Sequence, residues 1–356
     1  MITSAQIARF RGIRDLVVDG LGRVNLVIGK NDCGKSALLE ALQIADSERN
    51  AAHYLHASQR RRLRHDVTHN NFDRFWRPLF FNLDAKLGLT IGVIIDRQNT
   101  WRVLEVHQGP VPEEIISDVE GPDDLVEAEL PIGRTSWSLE LQLRTENEQS
   151  KQRIIAAGNR VRLPPPGGEL GSGWATPGAS VGPAEVRFVS ELKRSGRDGE
   201  LLELLRHIDG RLSGIEILAP SGSTAELFVR LDEGTPLLPV ALMGDGFQRC
   251  LEIGGCAAAH NWPTMFIDEV ENGLHHLALE PLWRWLAIIS RQRNLQVFAT
   301  THSEECIHAA CRAFGGLEDE GLRVIRLDRL ESGTRAVTYD RTLLETAVRT
   351  DTEIRG

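Results

Sequence analysis

The feature that most constrains this sequence is the segment from Gly29 to Ser36, which reads GKNDCGKS. A largely apolar run, Val24 to Ile28, precedes it and predicts a buried strand, while apolar residues at helical spacing from Lys35 to Ala45 predict a helix. The pattern GxxxxGK[ST] between a strand and a helix predicts a phosphate-binding loop, because backbone amides and the helix N-terminus can surround phosphate oxygens. An accidental glycine-rich turn is the alternative.

The residue types in this segment suit a nucleoside triphosphate. Lys35 can neutralise the β and γ phosphates, and the Ser36 hydroxyl can ligate Mg²⁺. Cys33 fits a loop-filling role better than a redox sensor, since only a helix N-terminus is at hand to lower its thiol pKa. The sequence therefore predicts ATP and Mg²⁺ as cofactors, with Lys35 also taking part in catalysis. The predicted binding residues of this loop are Gly29, Asn31, Asp32, Cys33, Gly34, Lys35, Ser36 and Ala37.

Two adjacent carboxylates follow a second apolar run, Met265 to Ile267. The carboxyl ends of parallel strands meet at one edge of a sheet, so Asp268 and Glu269 are expected beside the phosphate loop. Asp268 would hold Mg²⁺, and Glu269 would polarise the attacking water as a general base. A strand followed by a capping acid is the alternative, and the phosphate loop upstream favours the catalytic interpretation.

A third buried strand, Leu295 to Ala299, leads into polar residues at the same predicted edge. We expect His302 to hydrogen-bond the γ-phosphate there and to report its presence, with a purely structural histidine as the alternative. The neighbouring His275 and His276 are interpreted as loop residues. A metal site built from these two and His260 would need a ligand geometry that the sequence does not show.

The segment Met243 to Arg249 reads MGDGFQR and opens a helix predicted from Gly246 to His260. Gly244, Asp245 and Gly246 would form a second phosphate-binding helix N-terminus. One phosphate group needs only one such cradle, so two termini indicate two molecules that face each other across a nucleotide. A plain glycine turn capped by the aspartate is the alternative.

The order of strands and helices predicts an α/β fold. Further strands are predicted within 82–107, 136–143, 186–189, 215–218 and 225–231, with a helix at 200–208. The segment 164–183 is dense in Gly, Pro and Ser and predicts a loop without helix or sheet interior. We expect three parts: residues 1–48 and 184–356 as two halves of the nucleotide-binding core, and 49–183 as an antiparallel β subdomain with an acidic loop at 113–129.

Composition excludes several classes of protein. The net charge of −9 and the pI near 5.7 disfavour a surface that coats nucleic acid or anionic membrane indiscriminately. Five scattered cysteines do not form a disulfide framework, and no run of about 18 apolar residues predicts a membrane span. A cytoplasmic protein is expected. The run Arg60, Arg61, Arg62 and Arg64 predicts a solvated helix face, with contact to DNA or RNA left open.

The order of these motifs resembles the ABC-type ATPase heads of the SMC, RecF and OLD branch. The GxNxxGKS loop, the DEVENGLHH segment 268–276 and the run 299–303 are similar to OLD-like predicted AAA-type ATPases, in which MGDGxxR replaces the LSGGQ signature. The segment 344–356 looks like the end of such a domain. The sequence lacks the DxD cluster of a Toprim nuclease and the long heptad run of an SMC coiled coil.

The resemblance implies a P-loop fold with a mostly parallel core sheet, an antiparallel β subdomain and a helical signature lobe. It also implies a homodimer with ATP between the Lys35 loop of one protomer and the Gly244 to Gly246 turn of the other. It places Arg9 and Arg11 near the adenine. It assigns no residue to the glutamine loop that normally contacts Mg²⁺, for which 75–82 is a plausible region. We expect ATP hydrolysis that gates a nucleic-acid or effector partner in DNA repair or phage defence. The alternatives are an ATP-dependent dimerisation switch for a separate effector, with little turnover, and a nucleotide kinase.

Overall fold

The computed structural model describes residues 1–47, 50–62, 71–95, 100–110, 136–157, 160–167, 171–176, 178, 181–220, 222, 224–232, 235–315 and 321–339. The predicted acidic loop 113–129, the position of Arg64 and the segment 344–356 lie outside these residues.

The described helices confirm the predictions around both candidate phosphate-binding turns and at 200–208. Their bounds are α1 Lys35–Asp46, α2 Ala51–Arg62, α3 Pro183–Arg194, α4 Asp198–Arg206, α5 Asp245–Ala259, α6 His276–Gln292 and α7 Glu304–Gly315. Within the described ranges, no helix has both the length and the apolar character that crossing a bilayer requires.

A six-stranded, mostly parallel sheet carries the predicted motifs, in the order β16-β15-β3-β14-β13-β9. All neighbours pair in parallel except β15 and β16. The strands are β3 Val24–Ile28, β9 Ser172–Ala175, β13 Thr264–Ile267, β14 Gln296–Thr300, β15 Leu322–Leu330 and β16 Gly333–Tyr339. The strands β3, β13 and β14 are fully buried, as expected of parallel strands covered on both faces.

A second, antiparallel sheet has the order β2-β1-β4-β5-β6-β7-β8. Its strands are β1 Ile2–Phe10, β2 Ile13–Asp19, β4 Leu89–Ile95, β5 Thr100–Gly109, β6 Trp137–Thr145, β7 Gln149–Ala157 and β8 Arg160–Arg162. A small sheet of β10 Gly214–Leu218, β11 Glu226–Arg230 and β12 Leu238–Pro239 completes the described strands. The segment 1–48 therefore contributes β1 and β2 to the antiparallel sheet, while β9 from 49–183 joins the parallel one.

Helix α1 lies between the two large sheets. Its buried Leu38, Leu39 and Leu42 share one apolar core with Ile7 of β1 and Phe266 of β13. A second core on the other face of the parallel sheet contains side chains of α3 to α7. The phosphate-loop helix is thus held on both sides by buried apolar residues, which fixes its N-terminus relative to the sheet edge.

The strand predicted at 186–189 is wrong, because these residues lie inside α3. Pro183 occupies the first turn, where a missing N–H costs nothing, and the Glu185 carboxylate accepts a hydrogen bond from the Gly182 backbone N–H at 2.7 Å. Val189 and Leu192 then bury one helical face. The apolar run Val186 to Val189 was too short to separate a strand from a helix by periodicity.

The loop predicted over 164–183 contains β9, which pairs in parallel with β13 at the edge of the core sheet. Gly173 makes this close packing possible. A Cβ there would lie 2.3 Å from the Trp262 ring and 2.5 Å from Cys256 Sγ. A glycine that permits a close approach looks, in sequence, the same as a glycine that marks a loop.

The strand prediction over 82–107 is confirmed at 89–95 and 100–107. Before it, residues 81–87 form two short 3₁₀ turns. Asn82 and Leu83 adopt φ of 52° and 60° there, a backbone conformation that cannot continue a strand.

Candidate functional site

The phosphate loop joins β3 to α1 through left-handed backbone positions. Gly29, Asp32 and Gly34 have φ of 141°, 61° and 102°. A Cβ on Gly29 would lie 2.5 Å from the Leu327 carbonyl oxygen, so no other residue fits there without a shift. Gly34 is the N-cap of α1 and has no side chain to satisfy the first-turn amides. The backbone N–H groups of this turn are therefore available to an anion.

Lys35 folds over its own loop. Its Nζ donates hydrogen bonds to the Gly29 carbonyl at 2.8 Å and the Lys30 carbonyl at 2.9 Å. The ammonium group is thus held by two carbonyls of the phosphate loop itself. Neutral carbonyl partners are weaker than phosphate oxygens for a cation, so this position is compatible with transfer of the ammonium to a bound triphosphate.

Ser36, Asp268 and Thr300 meet where the three central strands end. Asp268 Oδ1 accepts a hydrogen bond from Ser36 Oγ at 3.0 Å and another from Thr300 Oγ1 at 2.7 Å. These contacts join residues 232 and 32 positions apart in the chain. The expected neighbourhood of Ser36 and Asp268 is present, and Thr300 is a partner that the sequence analysis did not assign.

Glu269 has a strained backbone, with φ of 47°. Its N–H donates to Thr300 Oγ1 at 2.8 Å. Arg249 Nη2 donates two further hydrogen bonds to this segment, one to the Asp268 carbonyl at 2.7 Å and one to the Glu269 carbonyl at 3.2 Å. A non-glycine residue in this conformation costs of the order of 1 kcal/mol and persists only where its surroundings hold it.

The Arg249 side chain is buried on α5 together with Glu252, one turn further along. Their side chains are 4% and 10% exposed and form a 2.7 Å ion pair. The Glu252 carboxylate also accepts a hydrogen bond from the Thr176 N–H at 2.8 Å, yet burial raises its pKa above the ordinary value. Arg249 stands in the MGDGFQR segment, but nothing in the sequence indicated that its side chain turns inward to the carbonyls of the Asp268-Glu269 pair.

His302 lies just beyond the end of β14 and is half exposed. Its backbone N–H and its ring Nδ1 both lie 2.9 Å from Glu271 Oε1. Glu271, two residues after Glu269, is a second side chain that the sequence analysis did not assign.

The second turn, Gly244 to Gly246, begins α5 as predicted. Gly244 is the N-cap, and Asp245 is the first helical residue. The aspartate therefore stands inside the helix and not at the N-cap position that the alternative of an aspartate-capped turn requires. Gly244 and Asp245 are exposed. Among the described residues, no hydrogen bond joins this turn to the phosphate loop of the same chain.

The signature turn contacts the loop that follows Glu269. A Cβ on Gly246 would lie 3.2 Å from the Gly273 carbonyl oxygen, and one on Gly273 would lie 3.4 Å from Asp245 Cβ. His275 lies in the loop, as interpreted from the sequence, where it is the N-cap of α6, whereas His276 is the first residue of that helix. Within the described part of the chain, no three His, Cys, Asp or Glu side chains are grouped as a metal site would require.

The arginine run at the end of α2 differs from a simple solvated face. Arg61 lies 3.9 Å above the Trp174 ring and donates to Gln43 Oε1 at 2.8 Å. Arg62 pairs with Glu40 at 2.8 Å, and burial lowers the pKa of Arg61 to about 10. Two of the arginines therefore fasten α2 to neighbouring elements.

Arg11 joins the same cluster from the turn between β1 and β2. Its Nε lies 2.6 Å from Glu40 Oε2, in a pair whose side chains are 9% and 3% exposed. Burial lowers the pKa of Arg11 to about 10. Glu40 is one helical turn after Ser36, so a predominantly cationic cluster lies beside the phosphate loop.

Cys33 is buried in the loop, with 3% of its surface exposed. Burial raises the pKa of its thiol above the ordinary value of 9.0, although the nearby Lys35 acts in the opposite direction. The thiol therefore stays protonated at neutral pH, which disfavours a redox sensor. A Cβ on Gly29 would lie 2.8 Å from its sulfur, as expected of a residue that fills the loop interior.

The chain is similar to known proteins in sequence and in fold. Residues 179–307 match the family model described as an AAA domain, putative AbiEii toxin, Type IV TA system. That range contains the Gly244 turn, the Asp268-Glu269 pair and His302. An ATP/GTP phosphatase from Helicobacter pylori is 24% identical over 340 residues, which cover 86% of each chain.

The same fold occurs in solved SMC heads. One is the SMC head bound to the C-winged helix domain of ScpA, with a TM-score of 0.50, 12% identity and coverage of 98% of this chain and 99% of that one. The other is an SMC head with an extended coiled coil bound to the C-terminal domain of ScpA derived from Pyrococcus furiosus, with a TM-score of 0.50, 11% identity and coverage of 100% and 99%. The chain is a P-loop ATPase with the fold of an SMC head.

The fold of this ATPase confirms the predicted fold class. It consists of a mostly parallel core sheet, an antiparallel sheet and helices that carry the signature turn. The predicted resemblance to ABC-type heads is confirmed as well. The roles of individual site residues remain predictions.

Proposed function

We propose that this ATPase binds Mg²⁺ and ATP and hydrolyses the nucleotide between two copies of the chain. The observation that carries the proposal is the junction of Ser36, Asp268 and Thr300 at the mouth of the phosphate loop, with Glu269 adjacent. Hydroxyl and carboxylate oxygens are the ligands that Mg²⁺ prefers. The residues present therefore fit the ion, and Ser36 and Asp268 would hold it. Mg²⁺ bound there would neutralise charge on the phosphate oxygens.

The residues of the chain would divide the reaction among them. Lys35 and the loop amides would hold the β and γ phosphates. Glu269 would accept a proton from water as the water oxygen bonds to the γ phosphorus and the bond to the bridging oxygen of ADP breaks. His302 would donate a ring hydrogen bond to the γ-phosphate. The products are ADP and inorganic phosphate.

The base end of the nucleotide would lie toward the turn between β1 and β2, where a cavity of about 350 Å³ opens. Arg11, Gln59 and Phe80 are among its lining residues. The buried Gln59 Oε1 has no hydrogen-bond partner among the described residues. Gln59 Nε2 donates to the Phe75 carbonyl, which fixes the amide so that Oε1 remains an acceptor.

The signature turn would act on the nucleotide of a partner copy. Gly244 and Asp245 are exposed in their own chain, and the turn offers a helix N-terminus that no side chain of the N-cap residue satisfies. A fifteen-residue helix gives this terminus the full positive end of a macrodipole. Each site is thus complete only when the second copy supplies Gly244 to Gly246.

An ATP-hydrolysing enzyme and an ATP-dependent dimerisation switch differ in the rate at which they release phosphate. We expect ATP with Mg²⁺ to produce a dimer, and the dimer to release phosphate catalytically. Light scattering and phosphate release on the same sample measure both. A nucleotide-dependent dimer with no phosphate release above background would favour the switch. A chain that stays monomeric at saturating nucleotide and still hydrolyses ATP would refute the shared site.

The dimer would control a separately encoded partner. The matched family description names a putative toxin of a toxin–antitoxin system, and one solved SMC head is bound to the C-winged helix domain of ScpA. These descriptions support a role in which the nucleotide state of the head admits or releases an effector, as in phage defence, or a nucleic acid. Purification of a Glu269→Gln protein from its native host with bound ATP would identify what the closed state holds.

A further inference from the structure

Glu271 connects two segments that carry different parts of the chemistry. One segment follows β13 and contains Glu269, and the other follows β14 and contains His302. Glu271 Oε1 lies 2.9 Å from the His302 backbone nitrogen and 2.9 Å from its ring Nδ1. A single carboxylate oxygen therefore fixes both the main chain and the ring of this residue.

The Glu271 side chain is only 11% exposed, and its second oxygen, Oε2, is buried without a hydrogen-bond partner among the described residues. Burying a carboxylate oxygen without a hydrogen bond lowers the free energy of unfolding. An exposed structural loop would not need such a group. The unfavourable burial of Oε2 is explained if the other oxygen, Oε1, positions His302.

The contact also determines which ring nitrogen is available. A carboxylate accepts hydrogen bonds and cannot donate them, so Nδ1 must carry the proton in this contact. The opposite nitrogen, Nε2, lies on the free side of a ring that is 48% exposed. It donates to a phosphate oxygen only when it carries a proton as well, so the ring acts in this role as an imidazolium whose charge the Glu271 carboxylate balances. The orientation of a histidine is commonly set by the bond that its second nitrogen makes.

The surrounding bonds join the two segments into one unit. The Glu269 N–H donates to Thr300 Oγ1 at 2.8 Å, and the Val270 N–H donates to the Thr300 carbonyl at 3.0 Å. The Glu271 bond to His302 is the next in this series. The proposed general base and the proposed phosphate sensor are consequently held in one register.

We propose that Glu271 is a positioning residue for ATP hydrolysis, which aims the His302 ring at the γ-phosphate and fixes that ring relative to Glu269. This inference rests on the proposed role of His302. Glu271 makes no contact with the nucleotide itself. Its removal leaves phosphate binding by Lys35 intact and misplaces the ring.

The test compares kcat and KM for ATP in Glu271→Ala, Glu271→Gln, His302→Ala and the Glu271→Ala/His302→Ala double variant. Glu271→Ala is expected to lower kcat about 10- to 100-fold, with less than about a threefold change in KM, because a misdirected group loses catalytic geometry rather than binding. Glu271→Gln keeps an acceptor oxygen and is expected to recover most of the activity. The double variant is expected to match His302→Ala, since the two residues act as a unit. Glu304→Ala, at an exposed position on α7, is the matched control and should leave kcat unchanged.

The outcomes separate this inference from the proposed function. Parental kcat in Glu271→Ala, with a loss in His302→Ala, would overturn the role of Glu271 alone. Parental kcat in both would overturn the role of His302 as well. Fully additive losses would mean that Glu271 acts elsewhere. Should the alanine variant not fold, ¹⁵N NMR of the parental histidine rings, assigned with His302→Ala, still decides. With ATP bound, a His302 ring protonated at both Nδ1 and Nε2 supports the proposal, and a ring that lacks either proton overturns it.

Discussion

The Glu269→Gln variant is expected to bind ATP and to hydrolyse it about 10²- to 10⁴-fold more slowly than the parental protein, because an amide cannot accept the proton of the attacking water. The substitution keeps the shape of the side chain. The backbone bonds from Thr300 and Arg249 that hold residue 269 do not involve the side chain. The closed state should therefore form and persist.

Single-turnover phosphate release and light scattering with ATP provide the measurement. The expected pattern is a slow chemical step together with a dimer that outlasts the parental one. Glu280→Gln, on the surface of α6 with partly exposed ion pairs to Arg284 and Arg312, is the matched control and should behave as the parental protein. Hydrolysis by Glu269→Gln at the parental rate would exclude Glu269 as the general base.

Replacing Arg249 with Met should produce the largest loss of stability among the site variants. It leaves the Glu252 carboxylate buried without its 2.7 Å partner. Removing one member of a buried ion pair typically costs about 3–5 kcal/mol in the free energy of unfolding. It also releases the carbonyls of Asp268 and Glu269, so hydrolysis by the folded fraction should fall.

This loss should depend on pH in a defined direction. Burial already raises the pKa of Glu252, and the Arg249 charge opposes that shift. Without the arginine, the pKa in the folded state rises further above its unfolded value of about 4.5. Such a group stabilises the fold below the unfolded pKa and loses that contribution as pH rises. The difference in unfolding free energy between Arg249→Met and the parental protein should thus be larger at pH 8 than at pH 5.

Urea denaturation at the two pH values checks this prediction. Arg194→Met is the matched control, since Arg194 and Glu191 have the same i,i+3 spacing but are 78% and 34% exposed. Its cost should stay below about 1 kcal/mol at either pH. A cost for Arg249→Met as small as that of the control would show that the buried pair does not hold the loop.

The sequence was sufficient to predict those parts of this protein in which the functional residues are adjacent in the chain to the strand or helix that positions them. Gly34, Lys35 and Ser36 need a strand before them and a helix after them, and both elements carry their own periodicity. The Asp268-Glu269 pair was found because it ends an apolar strand. In these places a short stretch of chain contains the whole signal.

The parts that were missed depend on contacts between distant positions. Thr300 approaches Asp268 across 32 residues and Glu271 approaches the His302 backbone across 31, and no local pattern marks either contact. Arg249 belongs to the Met243 to Arg249 segment that the sequence singled out. The inward direction of its side chain depends on how α5 packs, which the sequence pattern does not show. Strand β9 was missed because the Gly, Pro and Ser content of 164–183 indicated a loop. Gly173 in this strand instead permits close packing.

The shared ATP site is tested most directly by mixing two inactive proteins. Lys35→Ala removes the phosphate-loop cation. Gly244→Arg fills the signature turn at a position where a Cβ meets no heavy atom of its own chain within 4 Å and where φ is −60°, so the fold should tolerate it. Neither variant alone should hydrolyse ATP. Their heterodimer regains one complete site, made from the intact loop of the Gly244→Arg chain and the intact turn of the Lys35→Ala chain. We predict that phosphate release returns on equimolar mixing, toward about a quarter of the parental rate per chain, because about half of the dimers are heterodimers and each has one complete site out of two. A mixture as inactive as its two components would contradict a nucleotide shared between two copies of the chain.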